Sequence, residues 1–261
     1  MNADPINFNK AEELLSQLTG QKLSQTDLTP PAVFLANLVV MFFSVMKVNS
    51  SVEDRKIEHL RKTLAEFNDL ENTGEKLPHL IVDKLLNNHV AADEFTKSGR
   101  VATLTNLHSK PEKLLLIGLC YKILAANAIV DGRENQRLRK LADWMMINSR
   151  HIDVLEVGFG FPKTIDPAAL VEVQSLLKED QFEDLGNSFV TVASDLLVVL
   201  STKFNSPENS ALPKQTPVLE IISPNAEKPS DRFKWEPKPK TVSKPSISVS
   251  FEDATGRANF D

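Results

Sequence analysis

The chain has 261 residues, of which 41% are hydrophobic and 25% are charged; its formal net charge is −5, and Cys120 is its single cysteine. This length accommodates either one large domain or a domain plus appendages. The acidic balance argues against nonspecific nucleic-acid binding, and the lone cysteine excludes an intramolecular disulfide and a cysteine-based metal cluster. The cysteine usage and the absence of a signal-peptide pattern predict a cytoplasmic protein.

Hydrophobic periodicity and turn residues in the first half of the chain predict helices. The predicted helices cover about residues 9–18, 30–48, 51–67, 78–90 and 92–106. The second helix begins at Thr29-Pro30-Pro31, where proline fits the first turn. It is almost wholly apolar but shorter than the roughly 20 residues that span a bilayer, so we interpret it as a core helix.

The second half predicts four more helices, over about residues 112–128, 131–147, 167–177 and 181–203. The helix over 112–128 is nearly all apolar, and we expect it to pack against the helix over 30–48 as the central pair. Two glycines and a proline in residues 151–164 favour a loop there. The helices over 167–177 and 181–203 either complete the bundle or form a separate hairpin docked on it. The predicted fold class is all-α.

A stretch of about 22 residues is written twice, in 46–67 and again in 124–145. At one constant spacing, the two copies share six residues: Asn49/Asn127, Val52/Val130, Arg55/Arg133, Leu60/Leu138, Arg61/Arg139 and Lys62/Lys140. Each copy joins the end of an apolar helix to a charged amphipathic helix through a polar turn. This duplicated helix–turn–helix predicts a bundle in which the two turns are related by a pseudo-two-fold axis.

The turn of the second copy, ANAIVDGRE, resembles the signature turn of the TerB-like family, which occurs in tellurite-resistance and related stress operons. The family pattern is A-D-G-x-V-x-x-x-E, and the matching residues are Ala126, Val130 and Glu134. Asn127 and Ala128 replace the family's Asp and Gly, and the first copy departs further. The resemblance covers about residues 9–150 and implies an all-helical bundle. It also implies a non-enzymatic, stress-related interaction module.

The resemblance further implies an acidic cluster that binds a divalent metal. The candidate ligands in this chain are Asp131, Glu134, Asn127 and Asn49. An asparagine brings no charge to a cation, and Lys56, which replaces the first copy's glutamate, repels one. A helix-capping box accounts for Asp131 and Glu134. We therefore expect no metal and no other cofactor.

The remaining chemistry-bearing residues do not form a recognisable catalytic motif, so we predict no catalytic residues and no enzyme. The five histidines have no metal-ligand spacing, and we expect them on the surface. Arg61 and Arg139 occupy equivalent places in the two copies and predict either paired basic patches or a salt-bridged surface. Met145 and Met146 predict core packing, with a peptide-binding surface as the alternative.

Residues 205–261 contain more than half of the chain's 15 prolines and predict a disordered tail. Aromatic residues among lysines and prolines are typical of segments that dock on a partner. The candidate interaction residues there are Phe233, Trp235 and Phe251. Trp235 and its neighbouring lysines also permit a weak membrane-surface contact.

These observations predict three regions: a TerB-like bundle over 1–150, a helical pair over 165–204 that packs on the bundle, and the tail over 205–261. The expected function is a protein-interaction scaffold whose partners are proteins, reached through the tail, and not nucleic acids. The alternatives are a divalent-metal-dependent sensor and a membrane-surface adaptor, which would use the cleft between the repeats or the tail.

Overall fold

The computed structural model describes residues 5–24, 26–47, 54–67, 76–87, 98–127 and 130–204. These residues contain ten α-helices and no β-strand, which confirms the all-α fold class. The helices are α1 (Pro5–Thr19), α2 (Pro30–Met46), α3 (Asp54–Ala65), α4 (Lys76–Asn87), α5 (Ser98–Thr105), α6 (Lys110–Leu124), α7 (Gly132–Trp144), α8 (Ser149–Gly158), α9 (Pro167–Leu176) and α10 (Asn187–Phe204).

Helices α2 and α6 form the centre of the bundle, as their apolar sequences predict. They pack against each other, and most residues of both helices are buried. Thr29 caps α2 and Ser109 caps α6, and each cap is followed by a proline near the first helical position. The cap and the proline together fix where each helix begins. Proline is tolerated there because an N–H in the first turn of a helix has no partner within the helix.

The other helices of residues 5–144 surround this pair. Helices α1, α4 and α5 pack with one another or with α2, whereas α3 packs on α6 and α7 packs on α2. Each of the amphipathic helices α3 and α7 therefore packs on the central helix of the other copy. The buried residues of α3 and α7 include Leu60 and Leu138, which the internal repeat makes equivalent.

The prediction of a loop over 151–164 was wrong for its first half. Residues Ser149–Gly158 form α8. Asn148 caps its start, because the Asn148 side chain accepts a hydrogen bond from the Arg150 N–H. The apolar residues of α8 recur at helical spacing and are buried. The non-helical segment starts only at Phe159. The two glycines and the proline lie at or beyond the end of this helix and not within it.

Helices α9 and α10 contribute to the same hydrophobic core as the central pair. Helix α10 packs on α6 and α8, and it begins at Asn187 and not near 181, because two single-turn 3₁₀ helices precede it. Leu196 and Leu200 of α10 sit directly over Gly118 of α6 and Gly158 of α8: a Cβ on either glycine would lie 2.4 Å and 2.2 Å, respectively, from a leucine methyl. The two glycines thus let α10 approach the bundle closely.

Candidate functional site

A buried ion pair links the two copies of the repeat. Lys56 Nζ lies 2.8 Å from Glu134 Oε1, and the exposed fractions of the two side chains are 3% and 0%. The residues are 78 positions apart, which is the spacing of the repeat. Each is the third residue of its helix, α3 or α7. The first turns of these helices therefore face each other, with an acid and a base at equivalent positions.

Both oxygens of the Glu134 carboxylate are engaged. Oε1 accepts from Lys56, and Oε2 accepts from the Asp131 N–H at 3.3 Å. Asp131 completes a capping box at the start of α7, because its Oδ1 accepts from the Arg133 N–H at 2.7 Å. That backbone hydrogen bond is the main reason why the pKa of Asp131 lies below its usual value. The predicted capping role of both acids is present in the structure.

These residues do not fit a divalent-metal site. Glu134 already has a cation beside it, and Lys56 would repel a second one. The side chains of Asn49 and Asn127, the two other candidate ligands, lie outside the described residues. Nowhere in the part of the chain that the structure describes do three or more His, Cys, Asp or Glu side chains form a group that could hold a metal ion.

The two equivalent arginines, Arg61 and Arg139, each join helices through carboxylates. Arg61 Nη2 donates to Asp83 Oδ1 of α4 at 2.8 Å on the exposed surface. Arg139 binds Asp153 and Glu156, both on α8. Each arginine therefore serves an interhelical ion pair, which is the salt-bridged alternative of the two sequence interpretations.

Glu156 is the centre of a polar network that the sequence analysis missed. Its fully buried carboxylate binds Arg139, the ammonium of Lys163 and, at 3.2 Å, the hydroxyl of Tyr121. Burial alone would raise the pKa of Glu156, but the hydrogen bonds from Arg139 and Lys163 outweigh it and leave the pKa below the usual value. Because residues 151–164 were predicted to be a loop, no buried acid was expected there.

Two of the histidines were wrongly assigned to the surface. His108 and His151 are buried, and each ring has a glutamate at one nitrogen: Glu112 Oε2 at 3.0 Å from His108 Nδ1, and Glu172 Oε2 at 2.7 Å from His151 Nε2. The second nitrogen of each ring is buried and makes no hydrogen bond to the described residues. The first pair is local to the start of α6, and the second joins α8 to α9.

The end of α7 forms a corner with an unusual surface. Ile147 N–H donates to the Ala142 carbonyl and Met146 N–H donates to the Asp143 carbonyl, both at 3.0 Å, which is the pattern of a Schellman turn. Met146 takes the left-handed position of this turn, with φ 57°, where glycine is usual. Met145 is buried as predicted, whereas Met146 is 83% exposed and Trp144 is 46% exposed. We call this surface the Trp144–Met146 corner.

Arg137 holds the tryptophan of this corner. Its guanidinium lies 5.4 Å from the centre of the Trp144 ring and donates to Ser44 Oγ of α2 at 2.9 Å. Among the described residues it has no carboxylate partner, and burial lowers its pKa. The spacing of seven positions between Arg137 and Trp144, two turns along one helix face, was the sequence signal for this contact.

The tail candidates Phe233, Trp235 and Phe251 lie outside the described residues. No family model, curated protein or solved structure matches the chain. Among the described helices, none combines the length and the apolar character needed to cross a bilayer.

Proposed function

We propose that the protein is a non-catalytic interaction module that binds a partner protein through the Trp144–Met146 corner. The observation that carries the proposal is the exposure of a tryptophan and a methionine at a corner closed by backbone hydrogen bonds. Tryptophan and methionine are enriched in protein interfaces, and rigid aromatic residues dominate their binding energy. A bulky residue in a left-handed conformation is the kind of strain that collects at functional sites.

The buried acids are engaged in contacts within the fold, which favours a binding role over a catalytic one. Glu112, Glu134 and Glu156 are all buried, and each is occupied by a basic partner and by hydrogen bonds within the fold. A general acid or base needs a carboxyl group with access to substrate and a pKa near the working pH. The pKa values of Glu112 and Glu156 are instead held below the usual range.

The TerB-like resemblance belongs to this proposal and suggests a cytoplasmic, stress-related setting. It is supported by the turn residues Ala126, Val130 and Glu134 and by the contact between the equivalent positions 56 and 134. The metal-dependent activity implied by the resemblance is not part of the proposal, because Glu134 is already paired with Lys56.

Affinity capture from the native cell extract tests the proposal with the full-length chain as bait. The corner variant combines Trp144→Ala with Met146→Asn, since asparagine tolerates the left-handed conformation. The matched control combines Val171→Ala with Val198→Ala, two other exposed apolar residues, on α9 and α10. We expect a protein that the wild type and the control retain and the corner variant loses. Equal capture by all three baits would contradict the proposal.

A further inference from the structure

Helix α7 carries a row of basic residues that leads into the Trp144–Met146 corner. Arg133, Arg137, Lys140 and Trp144 follow one another at intervals of four, three and four positions, so they lie on one face of the helix. Arg133 and Lys140 are exposed, and Arg137 is half-buried. We call these four residues the α7 stripe.

The cations of the α7 stripe have few acidic partners among the described residues. Arg133 Nε is 3.5 Å from Asp131 Oδ1 in an exposed pair, and Lys140 is exposed and makes no ion pair with any described residue. Arg137 has only the Ser44 hydroxyl and the Trp144 ring as partners among those residues. The exposed Asp143 lies on the flank of the stripe without pairing with it. The half-buried guanidinium of Arg137 has lost part of its hydration, and no carboxylate among the described residues compensates for that loss.

The first copy of the repeat provides an internal comparison. The positions equivalent to the stripe are Arg55, His59 and Lys62 on α3 and Glu66, which directly follows α3. There Lys62 is paired with Glu58 at 2.8 Å, and Glu66 stands in the place of Trp144 and binds Lys122 at 2.7 Å. At the last two positions the first copy therefore has charges that are paired, whereas the second has Lys140, which makes no ion pair with a described residue, and the exposed Trp144.

We infer that the α7 stripe binds an acidic segment of the partner protein, with carboxylates on Arg137 and Lys140 and an apolar side chain at the Trp144–Met146 corner. The inference rests on the proposed function and names the partner's chemistry. The guanidinium of Arg137 lies over the Trp144 ring at 5.4 Å from its centre, and a guanidinium offers a carboxylate a planar pair of donors. A carboxylate there supplies the counter-charge that Arg137 lacks within the described residues.

Charge favours a peptide over a nucleic acid as the occupant. The stripe offers three cations along one helix, and the whole chain has a net charge of −5. Binding to a phosphate backbone depends on many cations, and a nucleic acid repels an acidic protein as a whole. An apolar corner at the end of the stripe suits a hydrophobic anchor side chain, which is how short segments gain most of their affinity.

Selection from a random peptide library on the full-length protein tests the inference. We expect the selected peptides to be rich in Asp and Glu next to Phe or Leu. Their affinity, measured by fluorescence anisotropy, should fall at least about tenfold for Arg137→Gln/Lys140→Gln and should weaken with added salt. The matched control is Arg55→Gln/Lys62→Gln on α3, for which we expect a change within about twofold. Lys140→Glu is a second variant, because this exposed residue can be reversed in charge without disturbing the core.

Three results would overturn the inference: no selectable peptide, no enrichment of acidic residues, or equal loss of binding in the α3 control. Neutral peptides that depend on Trp144 but not on Arg137 and Lys140 would overturn it while leaving the proposed function standing. A single-stranded oligonucleotide that displaces the peptides with the same dependence on the stripe would overturn it in favour of a phosphate backbone. The capture experiment with the Trp144/Met146 corner variant tests only the proposed function and does not decide this inference.

Discussion

The ammonium of Lys56 and the carboxylate of Glu134 form a buried ion pair between two positions that the internal repeat makes equivalent. Identical charged residues at these two equivalent positions would place two like charges together. The chain instead has a base in one copy and an acid in the other. The pair therefore joins the copies at the start of α3 and α7 and makes the contact asymmetric.

Removing either charge of this pair should strongly destabilise the fold, because the remaining charge would be buried without its partner. We expect Lys56→Met and Glu134→Gln each to lower the free energy of unfolding by about 3–5 kcal/mol. The double variant should lose less than the sum, since it buries no charge. Urea denaturation measures all three. Lys62→Met, which breaks an exposed pair, is the control and should change stability by less than about 1 kcal/mol. Additive single effects would contradict direct coupling.

Divalent cations should leave the thermal midpoint of the wild-type protein unchanged. A cation that binds only the folded state raises the midpoint by mass action, but the Glu134 carboxylate is occupied by Lys56 and by its own helix cap. The measurement is a thermal melt with and without about 1 mM Ca²⁺, Mg²⁺ or Zn²⁺. A shift that disappears in Asp131→Ala/Glu134→Gln would show that the site binds metal despite the lysine.

Adding a methyl group at Gly118 should push α10 away from the bundle. The new Cβ would meet a methyl of Leu196, which is buried and has little room to move. We expect Gly118→Ala to lower the free energy of unfolding by about 1–3 kcal/mol. Adding Leu196→Ala should recover part of the loss. Gly132→Ala is the control, because a methyl group added there, in the first turn of α7, would meet no described residue within 4 Å beyond its own helix and chain neighbours.

The central helices could be predicted from the sequence because their signals are local. A proline after a capping residue and a long apolar run mark α2 and α6, and neither signal depends on distant parts of the chain. Helix α8 was harder to predict, because the loop-forming residues Gly158, Gly160 and Pro162 lie at its end and directly after it. Asn148, which caps α8, was the local signal for its start.

The contacts of the site were harder to predict, because each unites distant residues. The repeat identifies Lys56 and Glu134 as equivalent, but only the packing of α3 and α7 shows that equivalent residues touch. Glu156 takes its partners from α6, α7 and the segment after α8, so no spacing reveals it. Met145 and Met146 are the same residue type, and their opposite exposure follows from the Schellman turn.

Acid should weaken the Glu156 network. The pKa of Glu156 is lowered in the folded protein, so its stabilisation is fully present above the ordinary value of 4.5 and is lost as the pH falls through the lower folded-state pKa. Glu156→Gln should reduce stability at neutral pH by about 1.5–3 kcal/mol and flatten the loss of stability below about pH 4.5. Urea denaturation over a pH series measures this. Asp83→Asn, which breaks an exposed pair, should leave the acid dependence close to that of the wild type.

Replacing Met146 by glycine should stabilise the protein while removing the apolar tip of the corner. A side chain in the left-handed region strains the backbone, and glycine removes that strain but increases the freedom of the unfolded chain. The net gain expected for Met146→Gly is about 0.5–1 kcal/mol in urea denaturation. Met146→Ala is the control, because it removes the same exposed side chain but keeps the Cβ, so it should bring no gain. If glycine is no more stable than alanine, the left-handed conformation is not strained. If both variants also lose the captured partner equally, the methionine side chain, and not the shape of the turn, is what the partner binds.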